Sequence, residues 1–170
     1  MSLFAKKSLG LFLILACMAV FAAPVPLETV QTGGAKIENG VVSRSTRNVA
    51  YCVLEFQFRE PVAFSTAEAL SLEFKGEVAD PKAMVIVQMK FGKKLTWAGF
   101  PVTGEWQKRK VIFSSARFES AFGGKRPEEG EKITGLKIFC RSPKKEAMTL
   151  QLKNISIAPA AKKGDAEGGK

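Results

Sequence analysis

From residue 35 onward the chain consists of short stretches in which apolar and polar residues alternate, each closed by glycine, proline or charged pairs. The clearest is Cys52-Val-Leu-Glu-Phe-Gln-Phe58, with Cys52, Leu54, Phe56 and Phe58 on one phase and Val53, Glu55 and Gln57 on the other. Side chains of a strand point alternately to its two faces, so this period of two describes a strand with one buried face. Leu70, Leu72 and Phe74 alternate with Ser71, Glu73 and Lys75 in the same way. Residues 84–91 are apolar almost throughout, as in a central strand covered on both sides. Residues 94–100 follow Gly92-Lys93, a hairpin signal. With residues 35–43 as the first strand, 106–113 as the sixth, and 133–140 and 149–157 as the last two, the pattern predicts eight strands.

Helix is scarce. Ser65-Thr66-Ala67-Glu68 has capping-box spacing and predicts one helical turn. Residues 115–122 predict another, with Phe118 and Phe122 on one face and Gly123-Gly124 ending it. Residues 125–132 read as a charged loop, and 160–170 as a disordered tail with no apolar anchor. Eight short strands in one domain describe a two-sheet sandwich or a barrel. The chain has thirteen phenylalanines, and the ten beyond residue 22 suit the sandwich, where such rings fill the space between sheets. Trp106, which opens a strand behind a turn, is expected in that core; Trp97 fits core or surface equally.

The first residues are of a different kind. Lys6 and Lys7 precede an apolar run over residues 9–21, followed by Ala22, Ala23, Pro24 and Pro26. A charged start, about a dozen apolar residues and a small-residue end are the parts of an export signal. The run is shorter than the roughly 20 residues of a membrane span. Residues 1–22 are therefore expected to be a cleaved signal peptide and 23–159 the folded domain, secreted or periplasmic. Lipidation at Cys17 is the rival reading, set back by the apolar residues beyond it.

Charge and cysteines refine the picture. The formal net charge is +10, and removal of residues 1–22 takes only Lys6 and Lys7 with it. Such a balance attracts acidic polymers, although the lysines are spread over many segments, as solvated loop residues would be. Cys52 and Cys140 would remain as an even pair in an exported protein, a candidate disulfide, with two packed thiols as the alternative. The chain contains no histidine, which removes a Ser-His-Asp triad, a Cys-His pair and any histidine-ligated metal. No glycine-rich loop precedes a helix, so no nucleotide site is expected. Glu55 and Glu73 sit where the solvent face of an alternating strand puts acids, and no Asp/Asn cluster forms a calcium loop. An enzyme is not expected, and no cofactor is assigned.

From Leu70 onward the order of segments resembles a carbohydrate-binding-module-like family with the galactose-binding-like jelly-roll fold. The resemblance is carried by Leu70-Ser-Leu-Glu-Phe-Lys-Gly76, Met84-Val-Ile-Val-Gln-Met-Lys-Phe91 with Leu95-Thr-Trp97, Gly104-Glu-Trp106 leading to Phe118, Ile133 to Ile138, and the closing Leu150-Gln-Leu-Lys-Asn-Ile-Ser-Ile157. Lys153-Asn154 stand where that family often has acidic residues, so no metal ligand is carried over. The resemblance implies an all-β, two-sheet jelly roll in which the second strand pairs with the seventh and the fourth with the fifth, in one sheet with an outer face open to sugar. That pairing would set Cys52 beside Cys140. Combined with the alternation, it puts Tyr51, Gln57, Gln88, Lys90, Phe139 and Arg141 on the outer face, with Trp97 as the stacking platform. Flat rings meet the C–H side of a pyranose, and amides and charges take its hydroxyls. The partner implied is a poly- or oligosaccharide. An envelope protein or an acidic polymer are the alternatives, with no nucleic acid and no stable membrane insertion expected.

Overall fold

The computed structural model describes residues 27–30, 34–92, 94–114, 119–120 and 127–159. They form nine strands: β1 Leu27–Val30, β2 Ala35–Glu38, β3 Val41–Ala63, β4 Glu68–Glu77, β5 Met84–Phe91, β6 Lys94–Pro101, β7 Gln107–Ile112, β8 Glu119–Ser120 and β9 Lys132–Pro159. Every strand pair is antiparallel. No helix occurs among the described residues.

Two long strands organise the rest. The later half of β3, residues 51–57, pairs with residues 135–141 of β9, and its earlier half, 42–46, pairs with 148–152. The register slips between Thr46 and Tyr51, where Asn48 takes φ 55°. A strand that bends at such an irregularity can leave one sheet and enter another. The front sheet thus runs β1-β3-β9-β5-β6-β8, and the back sheet joins β2, the early half of β3, the late half of β9, β4 and β7. The sequence expectation of a jelly-roll β-sandwich holds, including the 2–7 and 4–5 pairings.

The inward phases meet in one core. Cys52, Leu54, Phe56, Val85, Val87, Leu136 and Ile138 of the front sheet and Leu70, Leu72, Phe74, Leu150 and Leu152 of the back sheet are all buried in a single cluster. Phe74 approaches Phe100 across the gap with centroids 6.0 Å apart, and Phe64 stacks on Phe113 at 5.1 Å. Gly135 is required by close approach: a Cβ there would stand 2.5 Å from the Phe56 carbonyl oxygen.

Several expectations are corrected. Residues 35–43 are not one strand, because Asn39 and Gly40 both take positive φ, 51° and 76°, and turn β2 back onto β3. Two successive positive φ values define the tight hairpin turn that Asn-Gly favours. Ser65–Glu68 forms a single hydrogen-bonded turn, Glu68 N to Ser65 O at 3.0 Å, and β4 starts at once. Edge pairing with β6 makes Glu119–Ser120 a strand, which removes the helix over 115–122 at those two positions; the rest of that segment except 119–120 lies outside the described residues. The signal segment 1–22 and the tail 160–170 lie outside them as well. Trp106 is not core. Gly104 at φ 79° turns the chain so that Gln107 takes the buried position, donating to Pro101 O at 3.1 Å, while the indole is 38% exposed under the Lys153 ammonium.

Cys52 and Cys140 are directly opposed across β3 and β9 and fully buried, but they are free thiols and not a disulfide. The Cys52 thiol donates to Arg44 O at 3.3 Å instead of bonding to its neighbour. Burial pushes both thiols up, and burial plus the adjacent Cys52 raises Cys140 to about 12.

Two measurements follow. G135A is expected to lower stability by about 1–3 kcal/mol in urea unfolding, since the obstructing atom is backbone and cannot move aside. For Cys140, the folded state holds the proton more tightly than the unfolded chain, whose thiols titrate near 8.5. Stability from this source is complete below that value and is lost as pH rises towards about 12. Between pH 9 and 11 wild type is expected to lose stability more steeply than C140A.

Candidate functional site

The outer face of the front sheet is a grid set by register. Tyr51, Arg141, Met84 and Pro101 share its first row, and Val53, Phe139, Ile86 and Gly99 the second. Glu55, Lys137, Gln88 and Trp97 form the third, and Gln57, Gly135, Lys90 and Leu95 the fourth. Strand spacing and rise make this patch about 14 Å by 20 Å. All seven residues expected to line a site lie on this one face: Tyr51, Gln57, Gln88, Lys90, Trp97, Phe139 and Arg141. Alternation within each strand, with the strands in 2-7-4-5 order, brings them together.

Aromatic and apolar groups fill most of the first two rows, with Trp97 in the third. Tyr51 meets Phe139 edge to face, with centroids 5.9 Å apart at 64°. Ile86, although on the outer face, is 8% exposed, being hemmed in by this row and the next. Beside it Gly99 leaves a gap: a Cβ there would lie 3.0 Å from Met84 Cε and 3.5 Å from Trp97 Cζ3. The indole of Trp97 therefore leans along β6 over Gly99 and is half-buried, while Tyr51 stays 50% exposed. Met84, Ile86 and Gly99 were not anticipated as part of this face. Met84 and Ile86 share the phase of Gln88 and Lys90, but an apolar run conceals which of its residues face out.

Charge is placed around these groups. Lys90 Nζ forms an ion pair with Glu55 Oε1, both half-buried, so these two charges neutralise each other. Glu55 is the one carboxylate among the sixteen grid positions. Lys137 Nζ stands 5.9 Å from the Phe139 ring centroid, and Arg141 is exposed. The grid presents rings, amides and cations at the fixed spacings of the sheet. Among the described residues no three Cys, Asp or Glu side chains gather to hold a metal ion.

The rest of the surface differs. The outer face of the back sheet is mostly polar, with Ser71, Glu73, Lys75, Lys108, Lys110, Gln151, Lys153 and Ser156. Its half-exposed apolar groups are Ile112 and the Trp106 indole under Lys153. An open depression of about 650 Å³ lies where β3 bends, lined by Ser45, Thr46, Arg47, Glu77 and Met148 among others, with no aromatic ring.

No protein-family model and no curated protein sequence matches the chain. Solved structures match in fold. The chain is similar to PfGH50B at 15% identity and a TM-score of 0.59, covering 82% of this chain and 24% of that one. It thus spans about a quarter of the length of that protein. It is also similar to the family 11 carbohydrate-binding module of the cellulosomal cellulase Lic26A-Cel5E of Clostridium thermocellum, at 11% identity and a TM-score of 0.54, over 79% of this chain and 81% of that one. The family 11 module from Clostridium thermocellum in complex with a β-1,3-1,4-mixed-linked tetrasaccharide matches at 13% and 0.54, over 79% and 82%. At such identities the likeness is one of fold. The chain has the jelly-roll β-sandwich fold of carbohydrate-binding modules.

Because Lys90 and Glu55 are each partly exposed, their pairing should contribute little. A double-mutant cycle through K90A and E55A is expected to give a coupling of about 0.2–1 kcal/mol in urea unfolding. A coupling of several kcal/mol would mean that the face is closed to water rather than open to a ligand.

Proposed function

We propose that this protein is an exported, non-catalytic domain that binds a poly- or oligosaccharide on the outer face of its front sheet. One observation carries the reading: the front face gathers three partly exposed rings within one grid. The back face is mostly serine, glutamine, glutamate and lysine, with a single indole, Trp106, capped by the Lys153 ammonium and Ile112 at its edge. The front face sets Tyr51, Phe139 and Trp97 among Gln57, Gln88 and charged groups. Rings that remain partly exposed on a sheet leave apolar area uncovered, and a pyranose ring is a partner that covers it while its hydroxyls engage amides. The likeness in fold to carbohydrate-binding modules supports the same assignment, and the lack of histidine supports a role in binding rather than reaction. Export rests on residues 1–22, whose charged start and apolar run have the form of a signal peptide.

The test is a binding screen of the purified protein against a polysaccharide panel, followed by W97A. A stacked ring supplies roughly 0.5–1.5 kcal/mol beyond area burial. Loss of the indole is therefore expected to weaken binding about tenfold, at 1.4 kcal/mol per decade, with the thermal midpoint nearly unchanged. A large fall in stability would make Trp97 a packing residue instead. If no polysaccharide binds, the partly exposed apolar cluster of Tyr51, Phe139 and Met84 favours a protein-contact role in the cell envelope.

A further inference from the structure

We propose that the ligand of this face is an anionic glycan, whose carboxylate or sulfate groups are held by Lys137 and Arg141 on either side of the Phe139 ring. The inference rests on the sugar-binding reading and names the chemical class of its ligand. Lys137, Phe139 and Arg141 are successive outward positions of β9, the strand flanked by β3 and β5. Strand rise puts each cation's Cα about 7 Å from that of Phe139 and the two about 13 Å apart. A chain of sugars lying along β9 would present acidic groups to both while one ring rests on the phenyl group.

Charge balance singles out these two residues among the cations of the front face. On the back face Lys108 and Lys110 also form no ion pair among the described residues, but Trp106, the exposed ring of that face, is covered by Lys153. Lys90, on the same face, is already neutralised by Glu55. On the back sheet Lys75 is paired with Glu77 at 2.8 Å and Lys153 with Glu73 at 3.5 Å. Lys137 and Arg141 have no carboxylate partner among the described residues. The rows of Arg141 and Phe139 contain no acid at all, and the acid in the row of Lys137 nearest to it is the Glu55 engaged by Lys90. Glu28 and Glu119 fall in register at the two outer edges, opposite Gln57 and Trp97.

Ligand chemistry follows from this surplus. Lysine and arginine only donate, so a neutral sugar laid across both would desolvate two positive charges and return hydroxyl oxygens alone. A carboxylate or sulfate offsets that cost with charge-assisted hydrogen bonds, and the arginine fork fits either group through two of them.

The test compares binding of the full protein to polygalacturonate, to a sulfated galactan and to a neutral mixed-linkage β-glucan at low and high salt. K137Q/R141Q is measured beside K108Q/K110Q, which removes the same charge from the back sheet. Wild type is expected to bind an anionic polymer at least tenfold more tightly than the neutral one, and K137Q/R141Q to lose at least tenfold while K108Q/K110Q keeps its affinity. Binding of polygalacturonate alone identifies a carboxylate, of the galactan alone a sulfate ester, and of both the shared charge. Preference for the neutral glucan, undiminished in K137Q/R141Q, overturns this inference and leaves the sugar site standing. Equal losses in the two double variants overturn it in favour of diffuse charge attraction. Failure to bind any of the three overturns both readings.

Discussion

The pairing of β3 with β9 is the constraint on which every other feature depends. Each strand runs through both sheets, and between them they give β1, β2, β4 and β5 an edge to join. A strand can serve two sheets only if it bends, and the bend is made where the register slips around Asn48. On one side of that slip β9 faces β5, and on the other it faces β4. The core then closes between the two halves, with Leu54 and Ile138 looking in from one sheet and Leu72 and Leu152 from the other. Hydrophobic burial supplies the driving force, but backbone pairing decides which apolar residues meet.

The same pairing builds the candidate face from strand positions. The grid residues lie on strands whose alternate positions are held by the core, so their spacing is that of the sheet itself. Such a face is organised before a ligand arrives, which lowers the ordering cost of binding. Within it, Gly99 is as consequential as any side chain, because its missing Cβ is the space over which Trp97 and Met84 lean.

The buried cysteines show how far pairing alone carries a chemical inference. Their opposition across β3 and β9 followed from strand order, and the structure has it. The bond between them did not follow, because a thiol's bonding depends on where its sulfur points. Here Cys52 is directed to the Arg44 carbonyl.

Much of the fold was written in local pattern. A period of two marked β4, the later half of β3 and the earlier half of β9, since alternation is a property of neighbouring residues and needs no partner to be read. Glu55, Gln57 and Lys137 could be assigned outward for that reason. What no local pattern carries is which strands lie side by side, and the strand order came from a resemblance in segment order. Trp106 was expected inside because it opens a strand behind a turn, yet with the left-handed glycine at 104 it is Gln107 that takes the inward phase. The apolar run of β5 concealed Met84 and Ile86 because both phases of the strand are apolar at its start, the inward one in the core and the outward one leaving Met84 partly exposed and Ile86 covered. The sequence by itself therefore determined which residues alternate and hence the all-β class. Only the tertiary structure decided which of them stand together, because adjacency across a sheet is set by long-range backbone pairing between segments some eighty residues apart.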